Sequence, residues 1–77
     1  MHDKILREDV EKLIEKLEPQ IEEIEPQTAE AEEYYSNMKA YIEDSKHFME
    51  KGDLVRAFEA IIWAWAFFEI CHDLKMF

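Results

Sequence analysis

Residues 57–71 read AFEAIIWAWAFFEIC, with two charges, Glu59 and Glu69, among thirteen apolar residues. No other stretch restricts the fold as much, because side chains this apolar and this dense must be covered on more than one side. At about 100° per residue, a helix through this region sorts them into two stripes. Leu54, Phe58, Ile61, Trp65 and Phe68 share one side, with Ala57 and Ala64 beside them. Trp63, Phe67, Ile70 and Leu74 share nearly the opposite side, at steps of four, three and four. A surface helix needs only the first stripe. Either the second is gripped by other helices of the same chain, or it meets its own copy across a two-fold axis. A three-helix bundle covers little more than one side of each member, so the expectation is self-association centred on Trp63, Phe67, Ile70 and Leu74.

Upstream, Leu6, Val10, Leu13, Leu17, Ile21 and Ile24 recur at helical spacing, which predicts a first helix over residues 3–25 with Asp3 as its cap. Pro19 lies within the pattern and removes one backbone hydrogen bond, yet Ile21 and Ile24 keep the phase, so one helix bent near Pro19 is expected. Pro26 and Thr28 stop and restart the chain, and a second helix is expected over 28–51. Tyr34, Tyr35 and Tyr41 on its inner side read as core aromatics whose hydroxyls reach the rim. Gly52-Asp53 closes that helix and caps a third, expected over 54–75. So short a connection makes neighbours antiparallel. The expected fold is therefore all-α, an antiparallel up-down-up three-helix bundle in a single domain, residues 1–77. The alternative is a long helical hairpin that completes a four-helix bundle by dimerising.

Composition narrows the function. The chain has 77 residues and a formal net charge of −10, with nineteen acidic and nine basic side chains, and no third of it is basic. A nucleic-acid ligand or an anionic membrane surface is therefore not expected. The longest apolar run, Ala60 to Phe68, is far short of the roughly twenty residues that span a bilayer, and MHDKILRED lacks a signal peptide's apolar stretch. Cys71 is the single cysteine, so no internal disulfide exists, and a cytoplasmic location is expected.

Chemistry-bearing residues are few. Glu69 and His72 have the Glu-x-x-His spacing of di-iron bundles, but a full site needs two such pairs and two further carboxylates, so only a dimer would approach it. As surface residues they read as a solvated glutamate and a cation at a helix C-terminus. Glu43 and His47 read as a surface contact, Cys71 as a packed thiol, and Arg56 as pairing with Glu59 or an acid of the second helix. No Gly-rich phosphate loop or Ser-His-Asp set is present. The Arg-x4-His signature of HEPN-type ribonucleases is also missing, since Ile61 and Lys12 follow Arg56 and Arg7 at that spacing. No enzyme and no cofactor is expected; the expected role is protein interaction, with a metal- or ligand-binding dimer using Glu69 and His72 as the alternative.

The segment YIEDSKHFMEKGDLVRAFEAIIWAWAFFE, Tyr41 to Glu69, resembles the signature of a small archaeal family, domain of unknown function 357. Tyr41, Asp44, Phe48, Gly52, Asp53, Ala57, Phe58, Ala60 and Ala64 carry the resemblance. Where members of that family show Asn-Tyr-Ala-x-Gly, this chain has Ile62-Trp63-Ala64-Trp65-Ala66. The resemblance implies a helical bundle in an archaeal cytoplasm and brings no activity.

Overall fold

The computed structural model describes residues 5–76 as three helices: α1 (Arg7–Glu22), α2 (Ala29–Glu50) and α3 (Leu54–Asp73), with no strand among the described residues. The expected Asp3 cap lies outside those residues. Helix α1 begins later than the periodicity suggests: Leu6 is extended, and the Asp9 carboxylate accepts its backbone N–H at 3.3 Å, fixing the start of the helix there. It also ends earlier, at Glu22 rather than Glu25. The Ile24 N–H turns back to the Ile21 carbonyl, and the Ile24 side chain enters the core from outside the helix. Pro19 is accommodated inside α1. Thr28 caps α2 by accepting the Ala31 N–H at 3.0 Å, as its position suggests.

Helix α2 closes on Gly52 at φ 78°, a conformation that costs Gly little. The Gly52 N–H donates to the Met49 carbonyl and the Asp53 N–H to the Phe48 carbonyl, the paired bonds of a Schellman motif. Asp53 then caps α3 by accepting the Arg56 N–H at 3.1 Å. Its second oxygen lies 3.5 Å from Arg56 Nε, so Arg56 pairs with the cap and not with Glu59 or an α2 acid, and its guanidinium sits over the Phe48 ring. The same paired bonds close α3, from Lys75 to His72 and from Met76 to Cys71, with Lys75 at φ 55° where Gly would be at ease.

The tightest seam runs between α2 and α3. Small side chains let them approach: Ala57, Ala60 and Ala64 of α3 and Ala31 and Ser45 of α2 are all buried. The buried Ser45 hydroxyl donates to the Ala57 carbonyl at 2.7 Å, so the one polar side chain in this seam is satisfied. Met38, Ile42 and Ile61 are buried in the same core.

Helix α1 lays Val10, Ile14, Leu17 and Ile21 on one side of this pair. Three contacts fix its position. The Trp65 indole N–H donates to the Leu13 carbonyl at 3.2 Å, and Arg7 donates to the Met49 carbonyl at the end of α2. Lys46 meets Glu18 at 2.6 Å. That hydrogen bond, outweighing partial burial, holds the Lys46 ammonium above its ordinary pKa; the pair is partly exposed and contributes about 0–1 kcal/mol. The result is a three-helix bundle, not a two-helix hairpin.

Cys71 is fully buried beside α2. Burial, and secondarily the Glu30 carboxylate, raise its thiol above the ordinary 9.0. The thiol is therefore favoured as the neutral form in the fold. The stability this gives is present below about pH 9 and is lost as pH rises through the folded value.

These contacts carry testable consequences. Ser45→Ala leaves the Ala57 carbonyl its helical partner and costs about 1 kcal/mol in urea denaturation, whereas Ser45→Leu wedges the seam apart and costs roughly 1–3 kcal/mol or more. Cys71 reacts slowly with a thiol reagent at pH 8 and rapidly in denaturant, and Cys71→Ala flattens the loss of thermal stability above pH 9. Lys75→Gly stabilises the chain by about 0.5–1 kcal/mol by relieving the left-handed residue.

Candidate interaction face on the third helix

The first stripe of α3 behaves as a core seam. Ala57, Ile61 and Ala64 are buried, while Phe58, Trp65 and Phe68 are half-buried against the core. The second stripe does not. Trp63 is 56% exposed, Ile70 51% and Leu74 67%. The two flanking helices therefore do not grip the far side of α3, and the reading in which one chain hides every large side chain fails for these three.

Phe67 differs from its neighbours. Its ring is half-buried, 5.7 Å from Tyr41 and 5.8 Å from Tyr34, and Tyr41 also stacks on Trp63 at 6.5 Å. Tyr34 and Tyr41 pack half-buried against the core and form an aromatic shoulder between α2 and the outer side of α3. Tyr35 also packs half-buried against the core, with the Lys39 ammonium 4.4 Å from its ring centroid.

Two residues that periodicity overlooked widen the face. Val55 is 58% exposed and Ile62 42%. On a helix, Val55, Ile62, Ala66, Ile70, Trp63 and Leu74 fall within about 120° of one another. From Val55 to Leu74 the face is about 28 Å long at 1.5 Å per residue. Exposed Glu59 and Asp73 lie within it and exposed Glu69 along one edge. A sequence signal existed: the hydrophobic run is continuous at Ile61-Ile62-Trp63, and only one of three successive helical positions can face the core.

Glu69 and His72 are both exposed, and with Gln20, Trp65, Phe68 and Asp73 they line a shallow groove of about 340 Å³ between α1 and α3. The His72 ring lies 6.2 Å from Phe68. No group of three or more His, Cys, Asp or Glu among the described residues has metal-holding geometry. Glu43 meets Lys46 at 3.7 Å, while His47 lies against Phe48, so these two are not brought together as ligands. No described helix is long and apolar enough to cross a membrane.

No curated protein matches the sequence. The crystal structure of a DUF357 protein from Archaeoglobus fulgidus superposes with a TM-score of 0.81 at 44% identity, covering 91% of this chain and 87% of that one. The model of the family described as "Protein of unknown function (DUF357)" matches residues 7–77. The match takes in α1 as well as the Tyr41–Glu69 segment, and the chain belongs to that family.

Proposed function

We propose that this protein is a non-catalytic interaction module that pairs with a second copy of itself through the outer face of α3, in an archaeal cytoplasm. The observation that carries the reading is the joint exposure of Trp63, Ile70 and Leu74 on one continuous face, with Phe67 and Tyr41 packed beneath them. Each large side chain withdrawn from water contributes roughly 1.5–3 kcal/mol, enough for several of them to offset the cost of joining two molecules. The face is also self-complementary in size. Ile62 and Ile70 lie four residues either side of Ala66. In an antiparallel crossing at Ala66, each isoleucine meets the other's partner copy, and the small central residue lets the backbones approach.

The alternative, a metal- or ligand-binding dimer using Glu69 and His72, is supported by one observation, that both side chains line the same groove. Iron, manganese or zinc at stoichiometric levels in purified protein would favour it.

Light scattering after size exclusion is expected to give the wild-type chain about twice its 9.3 kDa mass. Trp63→Glu and Ile70→Glu are expected to elute at the single-chain mass with the helix content unchanged. Ile70 makes the cleaner test, because Trp63→Glu also gives up the indole's stack on Tyr41 and Phe67→Glu removes a half-buried ring from the bundle. A wild-type chain that stays at single mass at high concentration contradicts the pairing.

A further inference from the structure

The apolar face of α3 is bordered on both sides by carboxylates. Glu59, Glu69 and Asp73 are exposed on α3 itself. On the α2 side, Glu30 shares a cleft with Leu74, and exposed Asp44 stands one turn from Tyr41, which stacks on Trp63. Two cations lie nearby. Arg56 is held by Asp53 and the Phe48 ring, and Lys75, in the closing turn of α3, lines the same cleft as Glu30 and Leu74, so the carboxylates outnumber the cations here without excluding them. The field over the face is therefore negative, in a chain of net charge −10.

A second copy brings the same borders. In a two-fold crossing at Ala66, Glu59 of each chain lies opposite Asp73 of the other, so like charges meet twice within the contact. A helix that kept the apolar stripe but carried Lys or Arg opposite Glu59 and Asp73 and along both edges would replace each of these repulsions with an attraction. From these juxtapositions we infer that the α3 face is a receptor for a cationic amphipathic helix of about five turns from another protein, and that this helix displaces the self-pair. The inference rests on the reading of α3 as a docking surface and names the occupant that the surface charge fits. Trp63 and Tyr41 supply the anchors, since an exposed indole flanked by carboxylates receives both the apolar stripe and a guanidinium. The borders supply orientation and association rate.

The test uses two synthetic helical peptides with the same Leu/Ile stripe, one with Lys and Arg on its edges and one with Glu. Each is titrated into the ¹⁵N-labelled full chain, and binding is read from amide and indole resonances. The cationic peptide is expected to bind about tenfold or more tighter than its acidic twin, and less tightly as salt rises. It shifts the Trp63 indole and the outward amides of α3 while leaving α1 unmoved, and it converts paired protein to a one-to-one complex. Trp63→Glu/Ile70→Glu, which keeps every native carboxylate and adds two, is expected to lose the binding; general attraction to an acidic protein would survive that change or strengthen. Equal binding of the two peptides, shifts spread over α1, or binding that survives in the double variant overturns the inference. Its failure is distinct from that of self-pairing. A dimeric protein that ignores the cationic peptide keeps the pairing and discards this inference, and a monomeric protein that binds it at Trp63 does the reverse.

Discussion

The close approach of α2 and α3 is the constraint on which the rest depends. Ala57, Ala60 and Ala64 bring one backbone near the other, and the Ser45 hydroxyl on the Ala57 carbonyl satisfies the polar side chain that this approach buries. A large residue at any of these positions would separate the helices, because packed interiors have no spare volume. With the seam closed, the azimuth of α3 is set. Ile61 is then buried and Trp65 reaches α1, while Trp63, Ile70 and Leu74 stay largely exposed, with Trp63 touching only the Tyr41 edge of α2. The exposed face is thus a consequence of packing and not an accident of composition.

The same seam accounts for where the family resemblance concentrates. Gly52 adopts the left-handed turn, Asp53 caps α3, and Ala57, Ala60 and Ala64 are the buried small residues. These positions specify how the hairpin closes and do no chemistry. Ile62 and Ala66 lie on the outward side, where α2 and α1 impose no packing demand, and this chain has an apolar residue at each. The fold is held by the turn and the alanines, and the residues opposite them lie on the outward side of α3.

Much of this was legible beforehand because its physics is local. Thr28, Gly52 and Asp53 act within one or two turns of themselves, so their roles read directly from the chain. The ends of α1 were less legible. Its start depends on the Asp9 carboxylate reaching Leu6, and its end on Ile24 leaving the helix to enter the core, which periodicity continues straight through. Long-range bonds such as Trp65 to Leu13, Arg7 to Met49 and Lys46 to Glu18 have no sequence signature, since each depends on how α1 lies across the hairpin. For the face, spacing identified Trp63, Ile70 and Leu74 but missed Val55 and Ile62 and could not show Phe67 turning toward Tyr41. Exposure is decided by the neighbours of a helix as much as by its own pattern.

That two-sided character of α3 can be tested on its two indoles. Single-tryptophan versions of the chain, Trp65→Phe and Trp63→Phe, report each ring separately through quenching by a neutral solute over a dilution series. The account predicts that Trp65 stays shielded at every concentration, while Trp63 is open in dilute solution and becomes shielded as molecules meet. Equal shielding of both rings at all dilutions would contradict it, because Trp63 would then be covered within a single chain.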